Sequence, residues 1–296
     1  IRGSDIPPFA VNHGIHGVMD MCALLRRNGK KYAVCAGYFE DDTVKQRLSR
    51  RIRAAAAARA MSGMRTGAIG GEFSGMGDFK VSDTELKSRL GVETVRPDPS
   101  LLRELINGIT DGELEKEISA DNVSFENQGL DEKTQRASAR SDLAVRKWLE
   151  KEGLGAFTAN FLGINKACGL DSMPFLEASK AMARGIGYAG EGDVLTASLV
   201  GALLKGFPDT SFVEIFCPDW KGGTLFLSHM GEVNLRVTQN RVLTRKPFPF
   251  TDANDPAVVM ACMRPGDAVY VNICREKDGF KLVLSEVEMQ KGDRGN

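Results

Sequence analysis

Apolar and polar positions change rhythm along this chain close to Gly206-Phe207-Pro208. Before that point, short apolar runs alternate with longer stretches of helical period. The runs at 66–69, 92–95 and 156–162 read as strands, and 100–109, 131–151, 174–184 and 193–204 as helices. Near the start, 18–27 is amphipathic and is stopped by Asn28-Gly29, and 32–38 reads as a short buried strand. Residues 43–64 form a long helical pattern with Val44, Leu48, Ile52, Ala55 and Ala56 on its apolar face. After Pro208, strand patterns follow one another without helices: 212–216, 224–227, 233–237, 258–263, 268–273 and 280–286. Arg264-Pro265-Gly266-Asp267 and Lys277-Asp278-Gly279 are turn sequences suited to hairpins.

Strands alternating with helices imply βαβ units and a parallel sheet, and consecutive strands imply antiparallel pairing. The expected fold is therefore α/β, a parallel-sheet Rossmann-like region followed by an antiparallel β-barrel-like C-terminal domain. No internal repeat or low-complexity segment interrupts this plan.

Composition narrows the function classes. The 296 residues carry 39 basic and 39 acidic side chains, so no global field draws the chain to nucleic acid or an anionic membrane. No apolar run approaches the ~20 residues needed to span a bilayer. Six scattered cysteines without a CxxC pair read as reduced thiols of a cytoplasmic protein. The opening at Ile1 and the polar closing run 291–296 read as cuts within a longer polypeptide.

Three segments carry candidate chemistry: Gly187-Tyr188-Ala189-Gly190-Glu191-Gly192-Asp193, Ser211-Phe212-Val213-Glu214 and Ser228-His229-Met230. Glu191 sits between glycines at a helix start, where an acidic residue is favoured in any case, with Asp193 at hand as a cap. Glu214 is different. Alternation puts it on one strand face with Phe212 and Phe216, and a carboxylate in such surroundings needs a partner. His229 ends the apolar run Leu225-Phe226-Leu227-Ser228. Two carboxylates and an imidazole near a junction of textures form a donor set for a divalent cation, or a proton relay on a hydroxylated substrate.

Other segments say less. The glycine-rich loop Gly70–Asp78 follows a strand but lacks both GxGxxG and GK[ST] spacing, and Glu72 and Asp78 would repel a phosphate. It reads as a tight loop at the end of a parallel strand, where such sheets place ligands. Arg47, Arg50, Arg51 and Arg53 have no interleaved aromatic residue to stack on bases and read as a solvated face or subunit contact. His13 and His16 lie among small residues suited to approach a ligand.

Together Asn12-His13-Gly14-Ile15-His16-Gly17, Phe73-Ser74-Gly75-Met76-Gly77-Asp78, the 187–193 segment, Phe212-Val213-Glu214 and Ser228-His229-Met230-Gly231-Glu232-Val233 resemble the L-arabinose isomerase branch of the L-fucose/L-arabinose isomerase family. The resemblance implies an aldose–ketose isomerase that uses Mn²⁺ or a similar divalent cation. It puts the metal ligands on Glu191, Glu214 and His229, and the acid/base pair on the two glutamates. By the same resemblance His16 reaches a neighbouring subunit's site in a homo-oligomer (trimer or hexamer), and Met76 and Phe161 line the sugar. The expected substrate is a pentose or 6-deoxyhexose such as L-arabinose or L-fucose. Residues 1–64 then read as the remnant of an N-terminal α/β domain, 65–207 as the central α/β domain and 208–296 as an incomplete C-terminal β domain. The family takes a fourth metal ligand from a histidine near its C-terminus, whereas here no histidine follows His229. That departure keeps a non-catalytic sugar-binding relative as the alternative, with a metal-dependent hydrolase as a third reading.

Overall fold

The structure, a computed structural model, describes residues 14–77 and 80–292. Its chain divides into two compact units, 1–52 and 53–296, and the division falls within one helix.

The first unit contains α1 (Ile15–Arg27) and the start of α2 (Asp42–Met61). The amphipathic stretch expected at 18–27 is indeed helical. The buried strand expected at 32–38 is not formed: no strand is assigned there, and Val34 and Tyr38 are exposed. An apolar run becomes a strand only when a neighbour takes up its backbone hydrogen bonds, and no described strand pairs with this one. On α2, Val44 is buried while Leu48 and Ile52 of the expected apolar face are exposed.

In the second unit β1 (Arg65–Ile69) and β2 (Glu93–Val95) begin a four-stranded parallel sheet. Helix α3 (Pro99–Asn107) is capped by Asp98, with Pro99 at its first position. Helix α4 (Asp111–Ser124) opens with a reciprocal capping box between Thr110 and Glu113. The short β3 (Glu126–Asn127) precedes α5 (Glu132–Glu152), which Asp131 caps and left-handed Gly153 ends. Then come β4 (Ala156–Ala159), α6 (Phe175–Ala183), β5 (Gly187–Gly190) and α7 (Val194–Gly206). The sheet order is β2-β1-β4-β5.

Two neighbouring residues of β1 show how this sheet is covered. Successive strand residues point to opposite faces. Thr66 shares a 2.7 Å hydrogen bond with Ser198 of α7, and a Cβ on Gly67 would collide with the ring of Trp148 on α5. Helices therefore cover both faces, which is why β4 and β5 are buried at every position and carry no alternation. At Gly187 the strand approaches α7 so closely that a Cβ would strike the helix backbone.

The last third is built from antiparallel pairs. β6 (Glu214–Asp219) and β7 (Thr224–Ser228) form a ribbon. Its turn is held by Asp219, whose Oδ1 accepts from the backbone N–H of Lys221 and Gly222 at 3.0 Å, and by Gly223 at φ 63°. β8 (Thr238–Arg245) and β9 (Ala257–Met263) pair antiparallel, and β3 joins β8 in parallel. β10 (Gly266–Glu276) and β11 (Gly279–Met289) form a long hairpin.

The strand expected at 233–237 is replaced by a buried connection and a 3₁₀ turn, Leu235–Val237. Asn234 is the cause. Fully buried, it donates to the carbonyls of Pro208 (3.0 Å) and Thr210 (2.7 Å) while its Oδ1 accepts from Arg236 N–H (2.9 Å). A side chain that satisfies local backbone in this way competes with strand pairing. The expected absence of a spanning segment concerns helices only: among the described residues no helix is long and apolar enough to cross a membrane.

Candidate functional site

Strands β4 and β5 end side by side, and the residues beyond their carboxyl ends line a cavity of about 160 Å³. Such a crevice is where open α/β sheets bind ligands. The lining comes from the second unit alone and includes Glu191, Glu214 and His229.

Glu191 follows β5 directly. Its backbone is in the left-handed region at φ 62°, a costly conformation for a non-glycine residue. The surroundings enforce it: Glu191 N–H donates to Ala159 C=O (3.1 Å), and its carbonyl accepts from Phe73 N–H (3.0 Å). Thr158 closes the same turn, donating to Gly190 C=O (3.1 Å) and accepting from Gly192 N–H (3.0 Å). Gly192, at φ 87°, lies against the Gly71 carbonyl, where a Cβ would not fit. Asp193, not Glu191, caps α7 by accepting from Thr196 N–H at 2.9 Å.

Glu214 opens β6 and pairs in register with Ser228, so His229 follows immediately across the ribbon. His229 Nε2 stands 3.7 Å from Glu214 Oε1. A bulge between Ile215 and Cys217 leaves Phe216 as the extra residue, and it lines the cavity with Glu214. Phe212 meets the His229 ring nearly edge-on at 5.1 Å. On the other side Gly190 makes room for that ring: a Cβ there would lie 2.8 Å from Cε1.

The electrostatics follow from this burial. Desolvation raises Glu214, and the nearby His229 only partly offsets it. For His229 burial alone would lower the pKa, but the carboxylate of Glu232, ahead of Glu214 and Glu191, outweighs it and lifts the imidazole to about 9. His229 donates Nδ1–H to Glu232 Oε2 at 2.7 Å, and Tyr188 donates its hydroxyl to Glu232 Oε1 at 2.8 Å. Burial pushes the Tyr188 phenol well above its ordinary range, with Glu232 adding to the effect.

Of the substrate-lining expectations, Phe161 borders the cavity, its ring against Phe73 (5.3 Å) and Phe250 (5.0 Å). Met76 is half exposed in the loop after β1 and does not border it. His16 lies on α1, in the first unit. His13 and Asp78 fall outside the described residues. Tyr188, Glu232, Phe248 and Phe250 were not anticipated. Glu232 carried a usable signal: an acidic residue three positions after His229, between Met230-Gly231 and Val233, needs a partner as Glu214 does.

In kind the donors suit a hard or borderline divalent ion: carboxyl oxygens, and an imidazole whose other nitrogen is engaged by a buried carboxylate. As arranged, Glu214 and His229 are adjacent and Glu191 borders the same cavity. No three His, Cys, Asp or Glu side chains among the described residues stand close enough to hold an ion.

Fold and site together define an α/β protein with paired carboxyls and an imidazole at the carboxyl edge of a parallel sheet. Comparison with known proteins is specific. Residues 77–205 match the model of the L-arabinose isomerase central domain, and 209–295 that of the L-arabinose isomerase C-terminal domain. The chain belongs to the L-arabinose isomerase family. It is 28% identical over 298 residues to an L-arabinose isomerase of Nocardioides sp., covering 96% of this chain and 59% of that protein. L-arabinose isomerase 2 of Bacillus licheniformis is 26% identical, covering 96% and 61%, and the L-arabinose isomerase of Pediococcus pentosaceus 26% identical, covering 98% and 63%. The chain thus spans less than two thirds of the length of these relatives.

Proposed function

We propose that the full-length protein is a metal-dependent aldose–ketose isomerase acting on a pentose or 6-deoxyhexose such as L-arabinose or L-fucose. The observation that carries this reading is the convergence of Glu191, Glu214 and His229 on one cavity, in a chain of this family. Isomerisation moves a proton from C2 to C1 of the sugar and another between O2 and O1. One glutamate of the pair takes the C2 proton, giving a cis-enediol, and the other carries the hydroxyl proton. Burial of Glu214 raises its proton affinity, which suits a group that must both accept and return a proton near neutral pH. Mn²⁺ or a similar ion, held by Glu191, Glu214 and His229, would supply positive charge where the sugar's first two oxygens become negative. Phe161, Phe216 and Phe250 give the cavity an apolar wall. In a cytoplasmic homo-oligomer (trimer or hexamer) His16 reaches a neighbouring subunit's site. Six scattered cysteines without a CxxC pair support that compartment.

The test is Glu214→Gln in the full-length protein. Ketose formation from L-arabinose and L-fucose falls by about 10²–10⁴-fold, the worth of general acid–base help, while the thermal transition is retained. Near-normal turnover would exclude the role given to Glu214.

One observation favours a second reading, a non-catalytic sugar-binding relative: the donors are not gathered around a single point. Bound Mn²⁺ without product from any pentose or 6-deoxyhexose would select it.

A further inference from the structure

Glu232 is fully buried, yet it borders the cavity through the ring it holds. Both carboxylate oxygens are engaged: Oε1 accepts the Tyr188 hydroxyl and Oε2 accepts His229 Nδ1–H. The backbone around it is clamped. Ser179 of α6, also buried, accepts Val233 N–H and donates to Gly231 C=O, both at 3.1 Å. Gly231, at φ 114°, presses the turn onto β9, where a Cβ would lie 2.9 Å from that of Val258. This turn therefore presents Glu232 in one orientation, from α6 on one side and β9 on the other.

We infer that Glu232, held by Tyr188 and Ser179, is the positioning residue that fixes the His229 imidazole with Nε2 turned toward Glu214 and the cavity, so that the ring in its neutral form presents its lone pair there. A carboxylate has no proton of its own to offer Nδ1, so the neutral ring keeps its hydrogen on Nδ1 and leaves Nε2 bare. The inference deepens the isomerase reading, because a bare Nε2 is what a ligand to a divalent ion requires. Tyr188 adds a second condition. Its hydroxyl is buried, and Glu232 is its hydrogen-bond acceptor. In Glu232→Gln the tyrosine proton would claim the amide oxygen, since a buried O–H without an acceptor is costly. The amide NH₂ would then face His229 Nδ1 and force the ring's hydrogen onto Nε2. Removing the Tyr188 hydroxyl frees the glutamine to turn over, so a second substitution should undo the first.

The experiment compares wild type, Glu232→Gln, and Glu232→Gln with Tyr188→Phe in the full-length protein. Long-range ¹H–¹⁵N imidazole spectra at a pH where the rings are neutral, with the His229 signals assigned by their loss in His229→Gln, resolve the His229 tautomer. Titration with Mn²⁺ alone gives the second readout. Expected are an Nδ1–H ring in wild type, an Nε2–H ring in the single variant and Nδ1–H again in the double variant. Mn²⁺ affinity falls about 10–100-fold in the single variant and recovers in the double. An unchanged tautomer in Glu232→Gln, or a double variant no better than the single, overturns the inference. If the single variant loses its thermal transition, the double variant is read against Tyr188→Phe. Nδ1–H in both supports the inference, and its loss in the double overturns it. A wild-type protein that binds no Mn²⁺ would count against the isomerase reading, while the spectra would still decide the part played by Glu232.

Discussion

His229 concentrates the residue-scale physics of the site. Its pKa is lifted from 6.5 to about 9 in the folded chain, so the native state holds its proton over a range in which the unfolded chain has released it. The stabilisation is complete below about pH 6.5 and is lost as pH rises through about 9, on the order of 3 kcal/mol. Thermal unfolding in EDTA should therefore show a Tm that declines across that window, and His229→Gln should remove this part of the slope. An equal slope in the variant would mean that other groups produce it. How legible these residues were depended on their neighbours. Glu214 stood out because Phe212, Val213, Ile215 and Phe216 surround it, and Glu191 and His229 because small or apolar residues do. Glu232 belonged to a quoted motif but received no role, and Tyr188 looked like one more aromatic of a buried run. Their importance lies in a contact across 44 positions of chain, which no local pattern encodes.

At the scale of elements, α4, α5 and α6 are joined by charge as well as by packing. Arg146 of α5 meets Glu117 of α4 at 2.6 Å and Glu177 of α6 at 2.7 Å, and Lys180 reaches Glu117 at 2.7 Å and also Asp121. Burial opposes ionisation of Glu117, yet Arg146 and Lys180 hold it down to about 2. Arg146→Met leaves the fully buried Glu177 with Arg184 as its remaining ion-pair partner among the described residues, so it should cost about 3–5 kcal/mol in urea denaturation. A loss under 1 kcal/mol would show that the network contributes little to holding α6 in place. Helix α6 matters to the site because Ser179 lies on it. The sequence pattern missed α4, whose sparse apolar positions, chiefly Leu114 and Ile118, make a faint stripe, although Thr110 and Glu113 spelled out its capping box. It also missed β5, since Gly-Tyr-Ala-Gly reads as a loop until α7 is packed against it, and β8, whose residues are largely polar. The helices 99–107, 132–152, 175–183 and 194–206 were legible to within two residues at each end because each has a clear apolar face or a cap.

For the whole molecule, the α/β-then-antiparallel plan was readable from rhythm alone, while the meeting of the β6–β7 ribbon with the ends of β4 and β5 was not. Periodicity names elements and says nothing of where a ribbon docks. If that meeting point is a metal site, ligand binding to the native state must appear as stability. Mn²⁺ at a hundred times its Kd should add about 2.7 kcal/mol to unfolding, seen as a raised Tm, and Glu214→Gln should abolish most of the gain. No Mn²⁺-dependent shift in the wild type would argue for a site that works without the ion. The ribbon itself carries one more implication. Glu214 and His229 are neighbours only because Glu214 faces Ser228, and that alignment is counted off from the turn at 219–223. One residue added to the turn would slide β7 by a step and swing its side chains to the opposite face. The distant tip of the hairpin thus acts as the spacer that gauges the donor pair, and its length is under chemical constraint although it does not line the cavity.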